Sequence, residues 1–193
     1  MRLKIMQVGE PVLRKAARAL TREQLRSPSI QGLIDHMRET VRDAPGVGLA
    51  APQVGEPLQL AVIEDRAEYH KGLTDAEMKV RGRTEIPFHV IANPVIELLT
   101  EPSETFFEGC LSLAGYLALV SRAREVRVHC LDQRGEQKTI KASGWYARIL
   151  QHEINHLEGT LYIDKMRTNS FCSVDNYTRY WKDPRQVPER VEK

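Results

Sequence analysis

One nine-residue stretch, "QHEINHLEG" at positions 151–159, limits what this chain can fold into more than any other. A helix turns about 100° per residue, so Ile149, His152, Glu153 and His156 share one face. Tyr146, Leu150, Ile154 and Leu157 form an apolar stripe beside it. The stripe requires the helix to be buried, and a buried patch of two histidines and a glutamate is costly to desolvate unless it has a partner. Histidines four residues apart stand at metal-ligand spacing. In the HExxH pattern they bind the ion and the glutamate serves as a base. A chance HExxH on a solvated helix would lack the stripe. A catalytic metal site needs three protein ligands and one open position. The fold must therefore wrap a core around this helix and bring it a third ligand.

The third ligand is not downstream. The extended pattern HExxHxxGxxH has Gly159 in place but Tyr162 where its last histidine should stand, and tyrosine is a poor zinc ligand. The later acids are Asp164, Asp175, Asp183, Glu189 and Glu192, and both glutamates fall in a proline-containing tail. Upstream, "FFEGCLSLAGY" offers Cys110. With two histidines it would make a site for a divalent transition metal with one position left for water. The alternative for Cys110 is a small buried hydrophobe, the commonest role of a free cysteine. That role is assigned to Cys130, which lies in a strand pattern, and to Cys172.

The rest of the chain predicts an α+β domain, with strands first and the main helix late. Residues 27–46 carry Ile30, Leu33, Ile34, Met37 and Val41 at helical spacing, with Ser29 as a candidate cap and Pro45–Gly46 as the stop. Residues 58–64 form a buried-strand pattern. A polar excursion over 65–87 holds one short helix near "LTDAEMKV", and Pro94 predicts a strand broken by a turn within 88–99. Residues 125–143 alternate on both sides of Arg134–Gly135, as a hairpin does. Ser143 and Gly159 bracket the HExxH helix as candidate N-cap and C′ residues. The catalytic domain is expected over 1–168, with a polar tail over 169–193.

At 41% apolar and 28% charged, the 193 residues suffice for one globular core. A net charge of +2 is too small to indicate nucleic acid or a membrane surface as a partner. There is no eighteen-residue apolar run, and the first twenty residues do not have the pattern of a signal peptide. Three widely spaced cysteines argue against a disulfide framework and for a reducing compartment.

"PGVGLAAPQVG" (45–55) superficially fits a nucleotide-binding GxGxxA, but a helix pattern precedes it and Pro52 stands where the next helix should run. The remaining readings are a tight loop of small residues, or a place where Gly46 and Gly48 let another backbone approach and Gln53 offers an amide to a developing oxyanion.

In order, "GVGLAAPQVG", "EGCLS" and "QHEINH" resemble the peptide deformylase family, and the likeness runs from "VGEPVLRKAA" to "LYIDKM". "SGWYARILQHE" and "GTLYIDKM" are most similar to its mitochondrial and plant organellar branch. The resemblance implies an α+β fold with antiparallel strands packed around a central HExxH helix and a helix nearer the N-terminus. It implies a hydrolase that removes the N-formyl group from the initiator methionine of nascent chains. Cys110, His152 and His156 would be the metal ligands, and Fe²⁺ the native ion, with Zn²⁺, Ni²⁺ or Co²⁺ able to occupy the site. Glu153 would be the general acid/base of an activated water. The Gln53 amide and the Leu111 N–H would be the oxyanion donors. The peptide would lie beside the "GVGL" loop and Gly109, its methionine among Val47, Gly48, Trp145, Ile149 and His152. Implied partners are N-formylmethionyl nascent peptides and, near its exit tunnel, the ribosome. The tail lacks the long basic helix by which some bacterial members meet it. The implied location is a bacterial-type cytoplasm or an organellar matrix after processing. Asn155 departs from the family's usual Asp and is expected to act on a ligand from behind. Two competing readings are a metallopeptidase of small peptides and an inactive metal-binding relative.

Overall fold

The computed structural model describes residues 1–44 and 46–182. Its helices are α1 (Arg22–Arg26), α2 (Pro28–Asp43), α3 (Asp75–Arg81), α4 (Gly144–Leu157) and α5 (Val174–Tyr180). Its strands are β1 (Gly48–Ala50), β2 (Leu60–Asp65), β3 (Ile86–Leu98), β4 (Pro102–Cys110), β5 (Leu113–Ala123), β6 (Glu125–Leu131), β7 (Gln137–Ser143) and β8 (Cys172–Ser173). They form two antiparallel sheets, β1-β2-β3-β6-β7 and β4-β5-β8. This is the mixed α+β architecture expected.

Strand β2 shows how the core is divided. Side chains alternate across a strand, and every residue of β2 is buried. Ala61 and Ile63 pack with α4 residues Ile149, Leu150, Ile154 and Leu157. Leu60 and Val62 pack with α2 residues Ile34, Met37 and Val41 on the other face. The five-stranded sheet is thus covered on both sides, and α4 is the inner helix. Polar bonds tie α4 to the second sheet: Gln151 donates to the Ala123 carbonyl (2.9 Å) and accepts from its N–H (3.1 Å). Leu150 has no exposed surface at this junction. Leu150→Ala should cost about 2–5 kcal/mol of stability, read from urea unfolding; a loss under about 1 kcal/mol would contradict this packing.

Several local expectations change. Ser27 caps α2, its Oγ accepting from Ile30 N–H (3.4 Å), while Pro28 takes the first helical position and Ser29 lies inside. The proposed stop at Pro45 lies outside the described residues. β3 is not broken by a turn at Pro94. It runs through a bulge whose register shifts between Ala92 and Val95, with Asn93 at φ 48°. Asparagine tolerates that left-handed backbone, and its side chain exchanges bonds with Leu20 (2.9 and 2.7 Å). Ser143 stands at the N-cap of α4 without a side-chain capping bond. The helix start is set instead by Gly144 (φ +59°), where a Cβ would come 2.7 Å from the Arg81 carbonyl oxygen. The short helix in the excursion is α3, and the 125–143 hairpin is β6–β7. Residues 169–182, assigned by composition to a tail, form a turn, β8 and α5; residues 183–193 lie outside the described residues.

Candidate metal centre

α4 carries His152, Glu153 and His156 to the groove between the two sheets, and the end of β4 carries Cys110 to meet them. The ligand atoms of Cys110, His152 and His156 lie within 4.8 Å of one another. Cys110 Sγ is 3.2 Å from His156 Nε2. A thiolate and two imidazoles suit a divalent first-row ion and leave a coordination position for a reactant. Burial, then the charge of His152, keeps His156 well below the ordinary histidine value, in the neutral form a ligand needs. Burial opposes charge on His152, yet its bonds to Cys110 and Glu108 prevail and lift it to about 10.

Glu108 holds His152 from behind. Its Oε2 is 3.1 Å from His152 Nδ1, which leaves the other ring nitrogen for an ion. Arg122 grips Glu108 with two bonds of 2.9 Å, and Arg148 adds one of 2.5 Å. Burial alone would raise the Glu108 carboxyl; the bonds from Arg122 and His152 overcome it and hold the group well below the usual carboxylate range. Asn155 accepts from Arg122 (2.5 Å), so it reaches His152 only through Arg122 and Glu108, one step further away than expected. Tyr162 is not at the cluster by its oxygen; it donates to the Tyr116 carbonyl (3.2 Å).

Glu153 lies between the histidines in sequence and is outside the group of clustered ligand atoms. It is 3% exposed, its Oε2 has no hydrogen-bond partner among the described residues, and burial lifts its carboxyl to about 7. Gly48 makes room for it, since a Cβ there would be 2.3 Å from Glu153 Oε1. Gln53 is oriented from both ends. Ala50 N–H donates to its Oε1 (2.8 Å), and its Nε2 donates to Ser112 Oγ (3.2 Å) and toward Cys110 Sγ (3.4 Å).

These groups open into a groove of about 480 Å³ lined by Val47, Gly48, Gln53, Gly109, Cys110, Leu111, Trp145, Ile149, His152 and Glu153. His156 lies behind it, 1% exposed. Two strands at the groove stand at sheet edges among the described residues: β1 ends the first sheet and β4 ends the second. The sequence reading gave no role to Glu108, Arg122 or Arg148, nor to Phe107, Leu117 and Val174, which also line the groove. Glu108 stood in the quoted "EGCLS", but nothing local marks a glutamate as buried between arginines 14 and 40 residues further on. Cys130 is buried on β6, its thiol pushed to about 11 by desolvation, and Cys172 is half-buried on β8; neither belongs to the cluster of three.

An α+β frame thus presents a Cys–His–His donor set with a buried glutamate beside it. The chain belongs to the polypeptide deformylase family, whose sequence model matches residues 2–171. It is 45% identical over 172 residues to peptide deformylase 1A, chloroplastic, of Solanum lycopersicum, covering 89% of this chain and 62% of that one. Identity to the chloroplastic/mitochondrial 1A form of Arabidopsis thaliana is also 45%, over 89% of this chain and 64% of the relative. The chain thus spans just under two thirds of these plant relatives. Among solved structures, the Met-Ala-Ser-bound class I type b peptide deformylase of Acinetobacter baumannii superposes with a TM-score of 0.74 at 31% identity, over 86% of this chain and 99% of that one. The relatives include organellar and bacterial forms. Among the described residues no helix is long and apolar enough to cross a membrane.

Proposed function

We propose that this protein hydrolyses the N-formyl group from the methionine that begins newly made polypeptides. The observation that carries the reading is Glu153, buried and raised to about 7, beside the Cys110–His152–His156 donor set. Those three residues would hold Fe²⁺ natively, or Zn²⁺, Ni²⁺ or Co²⁺; when bound, such an ion supplies the Lewis acidity that makes water nucleophilic near neutral pH. Glu153 takes the proton of the attacking water and returns it to the leaving amine. A carboxyl poised near neutrality can do both.

The peptide adds as a strand between the free edges of β1 and β4, with its backbone against Gly48 and Gly109. The Gln53 amide, exchanging its bond to Ser112, and the Leu111 N–H donate to the oxyanion. A formyl carbon bears only hydrogen, so a narrow groove admits it and excludes larger acyl groups. Formylated nascent chains place the work near the ribosomal exit tunnel, in a bacterial cytoplasm or an organellar matrix.

Val47, Trp145 and Ile149 would form the methionine pocket. Formyl-Met or formyl-norleucine peptides should exceed formyl-Asp peptides in kcat/KM by about a hundredfold. Trp145→Ala should shrink that margin to about tenfold at unchanged metal content. Steady-state rates across a first-residue panel decide this, and a flat wild-type profile would refute the pocket.

A further inference from the structure

A second cavity, of about 170 Å³, is lined from β3, β5 and α4. Arg122 and Lys165 give its wall two cations, and no acid lines it among the described residues. Asn155 adds a neutral amide, and Ile96, Leu98 and Ile154 form an apolar side.

The charge of Arg122 is not fully met elsewhere. Glu108, Arg122 and Arg148 are buried together, so one carboxylate serves two guanidiniums and a positive charge is left in excess. Glu108 has no acceptor to spare. Its Oε1 takes Arg122 Nε (2.9 Å) and Arg148 Nη1 (2.5 Å), and its Oε2 takes Arg122 Nη2 (2.9 Å) and meets His152 Nδ1 (3.1 Å). A carboxylate offers only about four such sites. Arg148 completes its bonding on the neutral carbonyls of Val120 and Glu104. Arg122 Nη1 reaches only the neutral Oδ1 of Asn155. Asn155 in turn donates to Glu158 (3.3 Å), an exposed acid that is not on the cavity wall. Lys165 makes no ion pair among the described residues. Excess charge in a buried setting is costly unless an opposite charge accompanies it.

We propose that this cavity is a binding site for a small monovalent anion of the size of chloride, bromide or nitrate, held by Arg122 and Lys165. The apolar side favours a weakly hydrated ion over phosphate, which would surrender more water on entry. An anion here offsets the surplus charge of the arginine pair and so stabilises the fold, whatever reaction the groove performs.

The test compares metal-loaded wild type, Asn155→Asp and Lys165→Met by thermal unfolding, with sodium chloride replacing sodium gluconate at constant ionic strength. Wild-type Tm should rise saturably, by about 3–6 °C at roughly ten times the dissociation constant. Asn155→Asp sets a carboxylate on Arg122 and should reduce the rise to under about 1 °C. Lys165→Met, at an exposed position, should need about threefold more chloride for half the effect. Chloride at the metal and general salt effects are common to all three proteins and cancel in the comparison. Crystals in sodium bromide should give an anomalous peak beside Arg122 in wild type and none in Asn155→Asp. An equal Tm rise in wild type and Asn155→Asp, or no bromide beside Arg122, overturns the site. A bromide peak without the Tm shift marks an adventitious ion only and overturns it equally.

Discussion

Glu153→Gln should lower kcat by about 10²–10⁴-fold while metal content stays at the wild-type level. The amide keeps the shape of the side chain and most of its bonding but cannot accept a proton. Cys110, His152 and His156 are untouched, so the donor set survives. KM should change little, because the contacts proposed for the peptide are with the strand edges and the side-chain pocket. Metal analysis and single-turnover deformylation on the same sample separate the possibilities. Near-normal turnover would assign the base to another group; loss of metal along with activity would make Glu153 a ligand or a structural residue.

Cys110→Ala should abolish tight metal binding, and activity with it. The change removes the only thiolate of the cluster and leaves two imidazoles, too few protein ligands for a catalytic site. Cys130→Ala and Cys172→Ala should leave metal stoichiometry nearly intact, since neither joins the cluster. Stoichiometry after dialysis against a chelator decides; full occupancy in the Cys110 variant would refute its assignment. With iron bound, wild type should also lose activity in air as the thiolate oxidises.

What could be read from the sequence was whatever carried two coincident signals. The HExxH helix had both ligand spacing and an apolar stripe, and β2 opens on the apolar run Leu60–Ile63 because α2 and α4 cover its two faces. Pro94 misled because its effect depends on Asn93, whose left-handed backbone and bonds to Leu20 turn a break into a bulge. The β4–β5 hairpin was missed because much of it borders the groove, so its half-exposed residues lack clean alternation. Nothing local marks Glu108 as buried. Its burial is created by Arg122 and Arg148, which only the folded chain brings to it. Residues 169–182 read as polar because α5 buries none of its residues fully, yet it closes on Phe107.

Anaerobic purification followed by metal analysis and a deformylation assay on one sample tests the central claim most directly. The account predicts about one divalent ion per chain, rapid release of formate from formyl-Met-Ala, and little action on acetyl-Met-Ala or unformylated Met-Ala. Stoichiometric metal with cleavage of the unformylated peptide bond and no formate release would contradict it, and would make the centre that of a peptidase.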